Sequence, residues 1–368
     1  MFPLYTLLLL GLPLAGVILA GKPLERYLEF PPAACYVEHA GFSWPAFLIL
    51  AGLILAVVLP FLMRVVRSWR KAALVKAGKK TFPWWGWLGL GLNCIAWILA
   101  WTRFEWFRPW QAHTFSPLWF SFILVVNALT YRRSGRCLLT HHTRYFLALF
   151  LFSAVFWWFF EYLNRFVQNW YYTGVGDFSP LQYFLYATLP FATVLPAVLS
   201  ACEWLATWPR LTAGLDHFMP LPVSRPRLLS LAVLLISCFG LAGIGLWPDY
   251  LFPLLWLAPL FLLASVQTLR SQTTLFTPLA EGDWRQVCRL ALAALICGFF
   301  WEMWNYGSLA QWNYAVSYVN RFCLFKMPVL GYAGYLPFGL ECALAADVFL
   351  GDIQCRNKAV RQPFLSLC

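Results

Sequence analysis

Four glutamates stand inside the apolar runs of this chain: Glu161, Glu203, Glu302 and Glu341. An acidic side chain at membrane depth is costly, so it is kept chiefly where it faces a bundle interior and marks a site. A carboxyl there can donate, accept or relay a proton, or hold the polar part of a ligand. Glu161 and Glu302 each have an asparagine three residues on, Asn164 and Asn305, and that spacing puts both side chains on one helical face. Glu203 and Glu341 each stand thirteen residues after a proline, Pro190 and Pro328. The four glutamates read as catalytic candidates. Against this stands a structural reading, in which each bonds an asparagine, an indole N–H or a carbonyl freed by proline and acts as interhelical glue worth about 1 kcal/mol.

The elements that carry them follow from composition. Of 368 residues 61% are hydrophobic and 11% charged, where a soluble domain carries roughly a quarter charged. Apolar runs near the ~20 residues that cross a bilayer as a helix recur along the whole chain. A transmembrane barrel is excluded, because its strands would alternate apolar and polar. The runs fall at residues 4–20, 44–63, 84–101, 118–131, 145–163, 181–207, 228–246, 251–269, 287–305 and 323–349. The expected fold is an all-α integral membrane protein of about ten spans.

The net charge of +12 sits in short loops and forms no basic reading face, so nucleic acid is not expected as a partner. Loops 64–80, 132–144, 209–227, 270–289 and 350–368 hold 20 of the 27 Lys and Arg residues. Basic loops mark the cytoplasmic side, which puts both termini inside. The first segment lacks the basic start of a signal peptide and reads as a span, with cleavage near Ala20 as the alternative. Trp84, Trp85, Trp157, Trp158, Trp170, Tyr171, Trp312 and Tyr314 cluster at span ends, as expected of side chains that favour the headgroup zone.

Phe159-Phe160-Glu161-Tyr162-Leu163-Asn164 is echoed by Phe300-Trp301-Glu302-Met303-Trp304-Asn305. Asn169-Trp170-Tyr171 and Gln311-Trp312-Asn313-Tyr314 follow, and the two Pro-to-Glu spacings complete the match. Pro117, Asn127 and Arg132 pair loosely with Pro253 or Pro259, Gln267 and Arg270. Both copies start on the cytoplasmic side, so the repeat is parallel and implies a pseudo-twofold axis along the membrane normal. The resulting division is an N-terminal helix pair with a basic loop at 1–80, a four-helix repeat at 81–208, a linker at 209–227, a second repeat at 228–349 and a tail at 350–368.

Spans six and ten are interrupted by Pro190 and Pro196, and by Pro328, Gly331, Gly334, Pro337 and Gly339. Broken helices occur at membrane depth where protein or a wet cavity satisfies the backbone, so this run is a candidate cavity wall. Pro328, Gly331, Gly334 and Pro337 join Asn164, Asn305, Trp170 and Trp312 as candidate ligand contacts. A kinked, closely packed helix is the alternative. The eleven cysteines include no CxxC and read as small buried apolar residues rather than a zinc site or disulfide framework. His39, His113, His141, His142 and His217 all fall in loops, and no Glu-x-x-His pairs them with a carboxylate, so no metal is expected. No strand is expected before Gly174 and Gly176 and no lysine follows them, so they are not read as a nucleotide loop, and no cofactor is expected.

The segments from Phe160 to Tyr172 and from Trp301 to Glu341 resemble a family of bacterial polytopic membrane proteins of uncharacterised activity. That resemblance implies a bacterial inner-membrane protein. A fainter likeness is to the membrane-bound lycopene cyclase domains, which also have repeated helical units, an acidic residue at a helix end, a Trp/Asn-containing loop and a proline-acid element. The adjacent Pro-x-Glu-Glu of those domains is absent here, so Glu203 and Glu341 are not equated with their catalytic acids. Three readings result. The first is an enzyme or binding protein for an apolar, lipid-like or isoprenoid molecule held between the repeats among membrane lipids, with aromatic side chains able to stabilise positive charge. The others are a proton-coupled transporter and a structural subunit of a membrane complex whose protein partners the sequence does not name.

Overall fold

Apolar segments in lipid can satisfy their backbone groups only as helices or closed barrels, and the computed structural model, which describes residues 2–31, 36–70, 78, 80–175 and 178–355, is built of helices. They run α1 (Phe2–Leu19), α2 (Glu25–Leu28), α3 (Trp44–Ser68), α4 (Trp84–Trp101), α5 (Phe115–Ser134), α6 (Leu138–His141), α7 (Thr143–Val167), α8 (Pro180–Phe191), α9 (Val194–Ala206), α10 (Pro226–Gly243), α11 (Pro248–Leu251), α12 (Leu254–Leu269), α13 (Arg285–Gly307) and α14 (Tyr335–Cys355). Strand structure among the described residues is confined to two short antiparallel pairs, β1 (Trp170–Thr173) with β2 (Gln311–Tyr314), and β3 (Cys323–Leu324) with β4 (Met327–Pro328).

Among the described residues six stretches are long and apolar enough to cross a membrane: Trp44–Ser68, Thr143–Val167, Pro180–Ala206, Pro226–Gly243, Arg285–Gly307 and Val329–Gly351. The turn Glu105–His113 joined to α5 also qualifies but is bent by 68°. Leu4–Leu19 and Leu254–Leu269 are apolar but shorter. All ten apolar runs read from the sequence are largely helical, and the two read there as interrupted are broken. The last begins as the β3–β4 pair and a 3-10 turn at Val329–Gly334, and its α-helix starts only at Tyr335, because Pro328 and the nearby glycines disfavour helix. The sixth is broken between α8 and α9, where the Thr193 hydroxyl donates to the Pro190 carbonyl at 2.6 Å. Residues 71–77 and 79 of the basic loop, Gly176, and the tail from 356 lie outside the described residues.

The helix ends carry ordinary signals. Ser179 starts α8 with a reciprocal cap to Gln182, and Gly135 stops α5 in the left-handed conformation. On α7 a stripe of Phe146, Leu149, Ser153, Phe156, Phe160 and Leu163 is buried, yet the opposite face is apolar too, with Leu151 78% exposed. A helix apolar on all sides belongs in lipid. α3 goes further, having no buried residue; it meets the bundle near residues 329–334 and 209–212 and through Phe61, which packs on Phe218 and Trp284.

Two sets of helices repeat the same neighbours. α4 packs on α5 as α10 does on α12, α5 on α9 as α12 on α14, and α7 on α9 as α13 on α14, while α9 meets α13 and α14 meets α7. Lipid tails are as apolar as leucine, so close packing rather than escape from water must hold such helices together. Gly339 of α14 shows how close: a Cβ there would lie 2.1 Å from the Leu290 carbonyl oxygen of α13. The cysteines divide. Cys137, Cys202, Cys297 and Cys342 are buried, but Cys94 and Cys323 are exposed, Cys94 on α4 and Cys323 in the short β3, which corrects the uniformly buried reading.

Candidate functional site

The site is built where α7 and α13 end. Gln168 stops α7 in the left-handed region, with φ 51°, and Asn164 turns the chain straight into β1. Its Oδ1 accepts the N–H groups of Asn169 at 2.9 Å and Trp170 at 3.4 Å, while its Nδ2 donates to the Trp170 carbonyl at 2.8 Å. Asn305 does the same at the end of α13, accepting the Trp312 N–H and donating to the Trp312 carbonyl, both at 2.8 Å. The Glu-x-x-Asn spacing thus places one residue that folds the strand back and another, one turn earlier, that the strand then covers.

Side chains two apart on a strand share a face, so Trp170 and Tyr172 point the same way. Glu161 Oε1 accepts the indole N–H of Trp170 at 3.1 Å, the Tyr172 hydroxyl at 2.5 Å and the indole N–H of Trp157 at 3.1 Å. Glu302 Oε1 accepts the hydroxyls of Tyr314 at 2.6 Å and Tyr335 at 2.8 Å and the Trp312 indole N–H at 3.4 Å. That indole lies nearer the Tyr314 hydroxyl, at 2.8 Å. Both carboxyls are closed from solvent, Glu161 1% and Glu302 0% exposed, and in each Oε2 is buried without a partner. Burial, and then the adjacent carboxylate, hold the Tyr172 and Tyr314 hydroxyls well above the usual phenol pKa, so both remain donors.

The two strands pair with Trp170 opposite Tyr314, Tyr171 opposite Asn313 and Tyr172 opposite Trp312. Exchanging the two halves maps this pairing onto itself, Trp for Trp and Tyr for Tyr. Beneath it, Phe338 of α14 packs against Trp157 and Phe160 on one side and Trp301 on the other, so one aromatic ring bridges the surroundings of the two glutamates.

The other sequence-derived candidates stand outside these two hydrogen-bonded clusters. Glu203 is half-buried near the opposite ends of these helices, where its Oε2 accepts the Leu138 N–H at 2.9 Å and caps α6. Asn127 Oδ1 accepts the next N–H, of Leu139, at 3.1 Å. Glu341 is 1% exposed on α14 and its Oε2 too is buried and unpartnered. Pro328 is buried in β4, Gly331 sits against Met327, Gly334 has open space about it, and Pro337 lies in the first turn of α14. Pro328, Gly331 and Gly334 belong to the turn that leads to Tyr335. Among the described residues no three His, Cys, Asp or Glu side chains converge as a metal would need.

Sequence reasoning missed Tyr172, Tyr335 and the donor role of Trp157. It placed Trp157, Trp158, Trp170, Trp312 and Tyr314 at span ends and named Trp170 and Trp312 as ligand contacts; four of the five donate to the glutamates, and the Trp158 indole bonds Thr188 at 2.9 Å. The signal was present as Trp-x-Tyr following each Glu-x-x-Asn. A polar knot at the same end carried no such signal: His39 Nδ1 lies 2.8 Å from Asp249 Oδ1, His39 Nε2 lies 3.2 Å from the Gln168 carbonyl, and the Ser317 hydroxyl donates to Asp249 at 2.5 Å. Comparison with family models, with curated proteins and with solved structures finds no match to this chain.

Proposed function

We propose that this multi-pass membrane protein holds an apolar, lipid-like or isoprenoid molecule between two four-helix repeats, with Glu161, Glu302 and Glu341 as its polar or acid/base contacts. The observation that carries the reading is the pair of enclosed carboxyls, each with one oxygen bonded by aromatic donors and the other bare. A buried acceptor without a partner forfeits about 1–3 kcal/mol, which a ligand donor would recover. The Phe338 cluster between the two supplies an apolar bed. In this reading the chain has about ten spans, two of them ahead of the parallel repeats, and its basic loops place both termini in the cytoplasm of a bacterium, in the inner membrane. Glu203, engaged as a helix cap, stands apart from the ligand.

A photoreactive isoprenoid probe tests this on the full-length protein in bilayers. Crosslinks mapped to the peptides carrying Phe338 or Trp301 support the reading. Crosslinks restricted to α3, which has no buried residue, contradict it.

Proton-coupled transport is the second reading. It draws on the breaks that precede α9 and α14 at corresponding places, since transporters build midplane sites from discontinuous helices. It predicts that a pH gradient drives solute uptake into proteoliposomes.

A further inference from the structure

The two glutamates obtain their third donor differently, through a matched exchange of side-chain volume. One turn before Glu161 stands Trp157, whose indole reaches Oε1. One turn before Glu302 stands Gly298, and a Cβ there would lie 2.4 Å from the ring of Tyr335. Tyr335 stands six residues before Glu341; the residue six before Glu203 is Ala197, fully buried. One half carries a large residue on the glutamate's helix and a small one on the facing helix, and the other half reverses them.

This exchange changes what each site depends on. All three donors to Glu161 belong to its own helix and the strand that follows it. Tyr335 reaches Glu302 from a separate segment, as the first residue of α14. The 3-10 turn before it is half-exposed and ends at Gly334, which has nothing within 4 Å of where a Cβ would be. One turn further along, Gly339 clamps α14 to the α13 backbone. The Tyr335 ring itself fills a slot floored by Gly298 and stacked on Trp301, with ring centroids 5.9 Å apart.

We propose that Tyr335 is a gate over Glu302, and that the molecule admitted when it swings aside bonds the bare Oε2 through a hydroxyl while its apolar body takes the Gly298–Trp301 slot. A hydroxyl suits the place because it donates to Oε2 and can still accept from the displaced Tyr335, whereas an ammonium has no acceptor to offer. The inference rests on the apolar-ligand reading and adds to it the head group and the admitting residue.

The test compares a long-chain isoprenoid alcohol with its methyl ether, binding to the full-length protein in lipid nanodiscs. The alcohol binds about tenfold more tightly, the equivalent of one hydrogen bond. Glu302→Gln shrinks that preference, Glu161→Gln keeps it, and Tyr335→Phe speeds association several-fold where Trp157→Phe does not. Equal binding of alcohol and ether, or a preference lost in Glu161→Gln and kept in Glu302→Gln, overturns the inference and leaves the apolar-ligand reading standing. No binding of either probe overturns both.

Discussion

Trp170 and Tyr314 face each other across the β1–β2 pair, yet they serve different carboxyls, Trp170 donating to Glu161 and Tyr314 to Glu302. The strand pair is therefore a brace common to both sites, and whatever displaces one strand loosens both glutamates.

The brace depends on the two asparagines. Replacing Asn164 by Ala leaves the backbone N–H and carbonyl of Trp170 without their side-chain partner, and a buried group so exposed loses about 1–3 kcal/mol. Asn164→Ala and Asn305→Ala each lower the thermal midpoint in detergent by several degrees and weaken ligand retention together. A variant with an unshifted midpoint would show that the strands hold themselves.

Glu203 behaves as a cap. Glu203→Gln retains an acceptor oxygen for the Leu138 N–H and leaves stability within about 0.5 kcal/mol, whereas Glu203→Ala removes it and destabilises by about 1 kcal/mol. Neither alters ligand content. Loss of ligand in Glu203→Gln would return this residue to the site.

Gly339 and Gly334 make a controlled pair. Alanine at 339 drives a methyl into the Leu290 carbonyl, while alanine at 334 enters open space. Gly339→Ala separates α13 from α14 and lowers both yield and thermal midpoint, and Gly334→Ala leaves them unchanged, as size-exclusion profiles and melting curves will show.

Asp249 gives stability a pH dependence at the strand-pair end. Partial burial acts to raise its pKa, but the Ser317 hydroxyl, the His39 ring and the Ala40 N–H outweigh that and hold it below the usual carboxylate range. A depressed folded pKa contributes stability that is fully present above the unfolded value, about 3.9, and is lost as pH falls through the folded value. Asp249→Asn therefore melts earlier than wild type near neutral pH, and the two curves converge below about pH 4. A gap that persists unchanged into acid would assign the effect to packing.

The helices were legible because lipid imposes length and apolarity on each span, and the glutamate–asparagine pairs because both partners sit on one turn of one helix. Trp157, Trp170, Trp312 and Tyr314 were visible as span-end aromatics, and Trp170 and Trp312 as ligand contacts, but their bonds to the glutamates were not: at a span end, an aromatic donor to a carboxyl and one to a headgroup look alike in sequence. The Trp157–Gly298 and Ala197–Tyr335 exchange was hidden, since compensation between two helices leaves no local pattern. The break before α14 was legible from Pro328, Gly331 and Gly334, but its exact end at Tyr335 was not, because the run stays apolar throughout. His39, Gln168, Asp249 and Ser317 come from four separate segments, and only the fold brings them together.

The central claim, that Glu302 and Glu161 hold a ligand under the shared strand pair, is tested most directly by mass spectrometry of small molecules extracted from gently purified wild type and its Glu302→Gln, Glu161→Gln and Glu203→Gln variants. A lipid-like or isoprenoid molecule retained by wild type and Glu203→Gln, and depleted in Glu302→Gln, is the predicted result. The same molecules in equal amounts in all four samples, or none in any, would contradict it.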